Sequence, residues 1–356
     1  MKVKDLLKTA DVIKVSPQDT LSSVLAQLES SHDAGFVFDE NDRFIGVVNP
    51  YYAVIKKAHP GSTKVQSCLI HPPKLQQTDD MSKAARLMIE SKIHYLPVIN
   101  QDHEFVGIVS ARRLLSYMLR SNEFAAQLQQ KVGDKKIVTI KGEDKLSKAV
   151  NLFKDFKISK LVMVNESGAI AGIVSQYDVT DDLTAPKERH NSASRSGNKD
   201  AQSDKPVRNF ARTHVMTLGD NATYADVATH ILEQKIGSIV IINKQRMPIG
   251  IVTTKDILAF MVPKDVSKGI EVSLKDVSAP DDKLIKSTTQ KLEKKLMQHG
   301  IAGGHLVVRG AHKGGVIEVT FSCIDERGYV SVHIEGRDIN DIMIELVEKV
   351  SSRLDY

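Results

Sequence analysis

Two stretches of this sequence carry a hydroxyl and a carboxylate at a spacing that suits recognition of a phosphorylated sugar. They are Gly172-Ile-Val-Ser-Gln-Tyr-Asp178 and Gly250-Ile-Val-Thr-Thr-Lys-Asp256. An apolar run that ends in Ser175 or Thr253 and then opens a helix leaves backbone N–H groups able to hold a phosphate. A carboxylate one turn further can accept both hydrogen bonds of a ribose diol. The same spacing is also that of a capping box, which only starts a helix.

Two upstream copies of the stretch have lost the carboxylate. They begin at Gly46 and Gly107, and Tyr52 and Arg113 stand where the aspartate is expected. A recurring stretch of this length indicates a repeat architecture, so the local patterns must be interpreted as parts of four similar units.

The two copies that keep the carboxylate also share a threonine at a matching earlier position. These residues are Thr139 and Thr217, whereas the other two copies have Lys14 and Lys74 there. Capping of the helix does not depend on a threonine so far away in the sequence, so capping alone would not explain why the two occur together. The joint presence of three polar groups in the same two copies therefore favours a ligand site over simple capping.

Each copy closes a unit whose pattern is β-α-β-β-α. In the third unit the apolar residues Leu146, Ala149, Val150 and Phe153 recur at helical spacing, and a short apolar run bounded by turn residues follows. The units run over 1–58, 63–120, 129–184 and 208–262.

A polar stretch at 185–207 separates the third unit from the fourth. It contains almost no apolar residues, so it cannot offset its chain entropy by burial, and we predict a flexible surface insertion. Its basic residues outnumber its acidic ones, so a mobile arm for RNA or another acidic surface is the alternative to a solvated loop.

Composition predicts a globular protein of the cytoplasm. Hydrophobic residues make up 41% and charged residues 26% of the chain, and the formal net charge is +5. The two cysteines, Cys68 and Cys323, lie far apart in sequence, which excludes a disulfide framework and suits a reducing compartment. We see no signal peptide and no apolar run of about 18 residues, so no membrane partner is expected.

From about Gly269 the repeat stops, and 269–356 is predicted to form a β-α-β-β-β-α domain, one sheet with two helices on one face. Ser278 is the predicted cap of its first helix, and Asp338 that of its last. The predicted strands are Ile270–Leu274, His305–Ala311, Val316–Ile324 and Tyr329–Ile334, with hairpin turns at Gly314-Gly315 and Asp325–Gly328. The whole chain is thus predicted to be α+β.

The repeats resemble the CBS domain, the repeat named after cystathionine β-synthase, on the basis of the four Gly-apolar-apolar stretches and of His94-Tyr-Leu-Pro-Val98. The resemblance implies two tandem CBS pairs, a possible homodimer through them, and AMP, ADP, ATP or S-adenosylmethionine as a regulatory ligand, with no cofactor required. It also implies roles in the second pair: ribose contacts from Asp178 and Asp256, phosphate contacts from Ser175, Thr253 and Lys160, and adenine contacts from Thr139, Ile158, Thr217 and Ile236.

The first pair departs from this pattern. Tyr52 cannot replace a carboxylate acceptor, although Asn49-Pro50 still makes a good helix start. Ser110 with Arg112 and Arg113 could hold a phosphate, including one of RNA, and the alternative is a ligand-free pair with a structural or partner-binding role.

The C-terminal domain resembles the ribosome hibernation-promoting factors in its element order and in the stretch Tyr329–Asp338. This resemblance implies contact with a ribosomal subunit and its rRNA and inhibition of translation in dormancy. The candidate contacts are the lysines of the first helix, and the alternative is that this helix face is only solvated. These residues are Lys283, Lys286, Lys291, Lys294 and Lys295. Gly310–Gly315 resembles a phosphate loop only loosely, and a hairpin turn is the simpler interpretation.

Two functions therefore compete. One is a nucleotide-sensing protein that binds ribosomes in cells of low energy, and the other is a regulatory module of an enzyme or transporter without ribosome contact. The sequence shows no nucleophile–base set and no metal-ligand set, so we expect neither catalytic residues nor a metal site.

Overall fold

The computed structural model describes residues 1–10, 12–28, 34–133, 137–156, 158–184, 205–262, 269–275, 277, 281–312, 316–325 and 328–355. Most of the predicted insertion at 185–207 and the predicted turn at Gly314-Gly315 lie outside these residues. The chain divides into two compact units: Met1–Ala84 with Ile93–Leu258, and Ala85–Lys92 with Ala259–Tyr356.

The four repeats confirm the predicted β-α-β-β-α order. Repeat 1 contains β1 (Lys14–Val15), α1 (Leu21–Gln27), β2 (Gly35–Phe38), β3 (Phe44–Val48) and a π-helix (Tyr51–Lys56). Repeat 2 contains β4 (Leu75–Gln76), α2 (Met81–Ser91), β5 (Tyr95–Ile99), β6 (Phe105–Ser110) and α3 (Ala111–Arg120), followed by a short helix, α4 (Ala125–Leu128). Repeat 3 contains β7 (Thr139–Lys141), α5 (Leu146–Asp155), β8 (Lys160–Val164), β9 (Ile170–Ser175) and α6 (Gln176–Thr184). Repeat 4 contains β10 (Thr217–Gly219), α7 (Tyr224–Glu233), β11 (Ser238–Ile242), β12 (Pro248–Thr253) and α8 (Thr254–Leu258).

Each repeat builds its own three-stranded sheet. The first strand pairs in parallel with the second because the intervening helix carries the chain back across the sheet, and the second and third strands form an antiparallel hairpin. The third strand runs directly into the last helix of the repeat, so its terminal residue lies at a helix start.

The repeated glycine lies where the partner repeat crosses the third strand. A Cβ on Gly46 would lie 2.7 Å from the carbonyl oxygen of Ile70, and one on Gly107 only 2.5 Å from that of Lys8. Lys8 exchanges two backbone hydrogen bonds of 2.8 Å with Ile108, so the segment of repeat 1 that precedes β1 pairs with the third strand of repeat 2. The glycine is therefore required by close backbone approach, and the crossing segments tie the repeats into pairs.

The two pairs pack against each other through the helices that close their repeats. Helix α3 of repeat 2 packs against α7 and α8 of repeat 4, while the π-helix of repeat 1 packs against α5 and α6 of repeat 3. Ile55 of the π-helix is fully buried in one core with Leu146 and Phe153 of α5. Apart from Ala85–Lys92, repeats 1–4 thus form a single packed unit in which the first pair borders the second.

The second unit contains a four-stranded sheet in the order β13-β14-β15-β16 and two long helices. The elements are β13 (Gly269–Lys275), α9 (Asp282–Gln298), β14 (Gly303–His312), β15 (Val316–Asp325), β16 (Gly328–Gly336) and α10 (Ile339–Leu354). Apolar side chains from both helices share one core with the sheet: Ile285, Leu292, Leu296, Leu306, Val308, Val319, Phe321, Val332, Ile334, Ile342, Met343 and Leu346.

The first helix of this unit begins later than the sequence predicts. Its N-cap is Asp281, whose side chain accepts a 3.0 Å hydrogen bond from the backbone N–H of Leu284. The predicted cap, Ser278, lies outside the described residues and before the helix. Asp338 caps α10 and accepts from the N–H groups of Asn340 and Asp341. Both ends use a carboxylate, which also complements the helix dipole.

Within the described residues, no helix is both long and apolar enough to cross a membrane.

Candidate functional site

Strand register brings the polar residues predicted for repeat 3 to one end of its sheet. Lys160 begins β8 and lies directly opposite Ser175, the last residue of β9. Thr139 begins β7 and pairs with Val162 in the parallel ladder. Residues that are far apart in sequence therefore meet where α6 begins.

Ser175 and Asp178 bond each other reciprocally. The backbone N–H and the hydroxyl of Ser175 donate to Asp178 Oδ2 at 2.7 and 2.6 Å, and the N–H of Asp178 lies 3.4 Å from Ser175 Oγ. In repeat 4 the N–H and hydroxyl of Thr253 donate to Asp256 Oδ2 at 2.8 and 2.6 Å. The capping arrangement is thus present in both repeats, and it engages one carboxylate oxygen.

The second oxygen of Asp178 is bound by a residue that the sequence analysis missed. Arg212 Nε donates to Asp178 Oδ1 at 2.7 Å. Arg212 lies in the segment that crosses from repeat 4 onto β9, where it exchanges backbone hydrogen bonds with Ile173. The equivalent crossing residues are Lys8 and Ile70, so no repeated residue type marks this position.

Lys160 lies in an environment that opposes its charge. Burial lowers the pKa of its ammonium from 10.5 to about 8, Asp178 acts in the opposite direction, and Arg212 and Arg112 lower it further. A Cβ built on Gly237 would lie 2.9 Å from Lys160 Nζ, so the amine reaches the backbone of repeat 4. A partly desolvated cation beside two further cations favours an anionic ligand.

Repeat 4 has a buried hydroxyl at the position of this lysine. Ser238 lies opposite Thr253 in the antiparallel pair and is 6% exposed. Its Oγ has no hydrogen-bond partner within the described part of the chain. Unpartnered buried hydroxyls are unfavourable, so this one is a candidate donor to a ligand in the repeat 4 site.

The remaining predicted contacts flank these residues. Ile158 and Ile236 precede β8 and β11 and are both partly exposed, whereas Thr139 is exposed and Thr217 partly exposed. The carbonyl of Ile158 accepts a 2.9 Å hydrogen bond from Gln176 Nε2, so the segment before β8 is attached to the first turn of α6. The structure therefore places the predicted residues of repeat 3 around one helix start and those of repeat 4 around another.

The first pair lacks this arrangement. Four phenylalanine rings lie together there, with Phe38 and Phe44 each within 6 Å of Phe105 (5.1 and 5.4 Å between centroids) and Phe36 at 6.0 Å. Lys14 Nζ lies 4.5 Å from the Phe38 ring, and the amine of Lys74 lies 5.6 Å from the Phe44 ring. The lysines that replace the two threonines are thus held over aromatic rings.

The sequence suggestion that Ser110, Arg112 and Arg113 could hold one phosphate does not fit the structure. Arg113 Nη1 donates to the carbonyl oxygens of Leu6 and Leu7 at 3.1 and 2.8 Å. Arg112 instead donates to the carbonyl of Lys235 in repeat 4, and burial lowers the pKa of its guanidinium. The two arginines therefore serve different contacts, and Arg112 adds positive charge at the border with the second pair.

Replacing Arg113 with alanine is expected to lower the free energy of unfolding by about 1 kcal/mol, because two hydrogen bonds to the N-terminal segment are lost from an exposed side chain. Urea denaturation measures this change, and nucleotide affinity should stay the same. Arg120→Ala on the same helix is the control, because Arg120 bonds only the carbonyl of Ser116 one turn away among the contacts described. Equal effects of the two substitutions on the free energy of unfolding would contradict a stabilising role for the hydrogen bonds from Arg113 to the N-terminal segment.

No group of three or more His, Cys, Asp or Glu side chains that could hold a metal ion occurs among the residues described.

The model of the CBS domain family matches residues 3–51, 66–120, 130–184 and 207–263. An uncharacterized protein of Methanocaldococcus jannaschii is 25% identical over 308 residues, which cover 83% of this chain and 70% of the relative. The gamma-3 subunit of 5′-AMP-activated protein kinase from Sus scrofa is 23% identical over 208 residues, which cover 56% of this chain and 39% of the relative. A solved M. jannaschii protein, described as an archaeal homologue candidate of the AMP-activated kinase gamma subunit, superposes with a TM-score of 0.60 at 14% identity and covers 74% of this chain and 100% of its own.

Proposed function

This chain belongs to the CBS domain family, and from that premise we propose that it is an adenine-nucleotide-binding regulatory protein whose sensor is the second CBS pair. The observation that carries the proposal is the position of Lys160, a partly desolvated cation held opposite Ser175 and close to Asp178. A phosphate would find a cation, a hydroxyl and a helix start there, and a ribose would find a carboxylate. The similarity to a kinase gamma subunit whose name refers to AMP supports the same ligand class.

Isothermal titration calorimetry with AMP, ADP, ATP and GTP tests the proposal. We expect saturable binding of at least one adenine nucleotide and weaker binding of GTP. Absence of heat and of competition with a fluorescent adenine nucleotide would contradict it. The role we propose is regulatory rather than catalytic, because the polar residues at the site hold each other through capping bonds and ion pairs.

A ribosomal partner is a second proposal, and it rests on the first helix of the C-terminal unit. Lys283, Lys286, Lys291 and Lys294 are exposed there, Lys295 is partly buried, and α9 turns its apolar residues towards the core. A row of exposed lysines suits the phosphate backbone of rRNA. The competing proposal is that this unit binds an enzyme or transporter that the nucleotide regulates.

Changing Lys286, Lys291 and Lys294 to glutamate is expected to abolish co-sedimentation with ribosomal subunits at moderate salt, because contacts to the phosphate backbone are lost. The control changes Lys148 and Lys154 of α5 in the same way. Binding that survives the triple substitution would contradict the lysine face as the contact. A pull-down that returns one stoichiometric enzyme and no ribosomal protein would favour the competing proposal.

Two further expectations remain predictions: a homodimer through the CBS pairs and a cytoplasmic location. Helix α3 already packs against α7 and α8 within one chain, so a homodimer would need other helix faces. Light scattering of the purified protein tests it.

A further inference from the structure

Arg212 reaches the repeat 3 site from a hydrogen-bonded backbone through an exposed side chain. Its N–H donates to the carbonyl of Ile173 at 2.9 Å, and the N–H of Ile173 donates back at 3.0 Å. The side chain of Arg212 is 60% exposed, whereas that of its partner Asp178 is 9% exposed. Solvent screening of the exposed guanidinium weakens the pair, so a ligand that offers the carboxylate other hydrogen-bond donors can replace it.

The position of this guanidinium conflicts with ribose binding. A carboxylate offers about two acceptor positions on each oxygen. Ser175 fills both positions of Asp178 Oδ2, through its N–H and its hydroxyl. Arg212 Nε fills one position of Oδ1. While both Ser175 bonds are kept, one acceptor position is left, whereas the two hydroxyls of a ribose diol need two, so a ribose that binds both positions of Oδ1 must displace Arg212.

The displaced guanidinium of Arg212 gains a new partner only when the ligand carries an anionic group. Lys160 is close enough to Asp178, Arg212 and Arg112 for all three to influence its titration. Of these cations, Arg212 is bonded directly to the carboxylate of Asp178. A phosphate adds the missing negative charge and can accept the guanidinium directly, as arginine–phosphate pairs do. Adenosine carries no anionic group, so it would displace Arg212 without replacing its partner.

We propose that Arg212 is a specificity-determining residue of the repeat 3 site, which closes the ribose-binding side of Asp178 in the unliganded protein and pairs with the phosphates of a bound nucleotide. The site then selects phosphorylated adenine ligands over adenosine. This inference rests on the proposed nucleotide-binding function.

The test compares ATP and adenosine affinities of Arg212→Met and of a matched control, Arg208→Met, by calorimetry. Arg208 lies in the same segment, and its substitution removes the same charge, but Arg208 pairs with Glu143 away from the site. Both variants are made in the Asp256→Ala background, so that the repeat 3 site dominates binding. Arg212→Met is expected to lower the ratio of ATP to adenosine affinity by about tenfold, because a charge-assisted contact to phosphate is lost and a competitor of ribose is removed. Arg208→Met should leave the ratio unchanged.

Arg212→Lys keeps the charge and should retain most of the preference for ATP. An unchanged ratio in Arg212→Met, with wild-type binding intact, would overturn the role of Arg212 and leave the proposed function standing. Wild-type protein that binds neither ligand would instead contradict the proposed function itself, and equal loss in the Arg208 control would show a general charge effect.

Discussion

Replacing Lys160 with methionine is expected to stabilise the unliganded protein and to weaken nucleotide binding at the same time. The substitution removes a partly desolvated charge whose pKa is lowered from 10.5 to about 8. Each unit by which a pKa is shifted corresponds to roughly 1.4 kcal/mol, so below pH 8 the substitution should stabilise the folded protein by about 3 kcal/mol. Binding should weaken about tenfold to a hundredfold, because a charge-assisted hydrogen bond to phosphate is lost.

Differential scanning calorimetry and nucleotide titration measure the two effects. Lys148→Met in the same repeat is the control, because Lys148 pairs with Asp144 on an exposed helix face. Higher stability with unchanged affinity would mean that Lys160 does not contact the ligand. Lower stability would contradict the desolvated environment.

The same residue predicts a pH dependence. Because the folded pKa of Lys160 lies below its unfolded value of 10.5, the unfolded chain binds more protons between about pH 8 and 10.5. The folded state therefore gains stability from this residue as the pH rises through that window, and the destabilisation is fully present below about pH 8. A bound phosphate raises the pKa of the Lys160 ammonium. Nucleotide affinity should therefore be constant below about pH 8 and fall above it, where the unliganded lysine loses its proton. Lys160→Arg keeps its charge at these pH values and should remove the fall.

Alanine at Asp256 is expected to weaken nucleotide binding, whereas alanine at Asp226 is not, although both residues make the same local bonds. Asp226 Oδ2 accepts from the N–H and the hydroxyl of Thr223 at 2.8 Å each, as Asp256 does from Thr253. Asp226, however, begins the first helix of repeat 4, away from the end of β12. Each substitution should lower the free energy of unfolding by about 1 kcal/mol through the lost cap.

Only Asp256→Ala should also lose about 1.5–3 kcal/mol of nucleotide binding energy, as expected for hydrogen bonds from a ribose to a charged group. The comparison separates capping from ligand recognition, which the Ser/Thr-x-x-Asp spacing alone cannot do. Equal affinities of the two variants for AMP and ATP, measured by titration, would assign Asp256 to capping alone.

The repeat order could be predicted from the sequence because it depends on local patterns. Apolar residues at helical spacing and apolar runs bounded by turns recur in every unit, and they define the β-α-β-β-α elements observed. The family resemblance indicated Lys160 as a phosphate contact, but its position opposite Ser175 depends on the register of the hairpin between β8 and β9, which the sequence analysis did not assign. The sequence could not show why the glycine recurs, because the backbone that approaches Gly107 closely comes from another repeat.

Arg212 was missed, and Arg112 was assigned the wrong contact, for the same reason. Arg212 reaches Asp178 through a crossing segment, and Arg112 reaches the carbonyl of Lys235 through packing of helices from different pairs. Both contacts depend on how repeats associate, and no periodicity within one repeat encodes that. The late start of α9 has another origin: Ser278 and Asp281 are both good caps, and local preference alone does not decide between them.

Hydrogen–deuterium exchange with and without a saturating adenine nucleotide tests the central claim most directly, because it maps the ligand onto one pair of the full chain. Backbone N–H groups that hold a phosphate at a helix start should exchange more slowly when the ligand is bound. We predict protection in peptides covering 172–180 and 250–258, and none in those covering 46–56 and 107–117. Protection confined to the first pair, or no protection in the second pair despite measured binding, would contradict the assignment of the second CBS pair as the sensor.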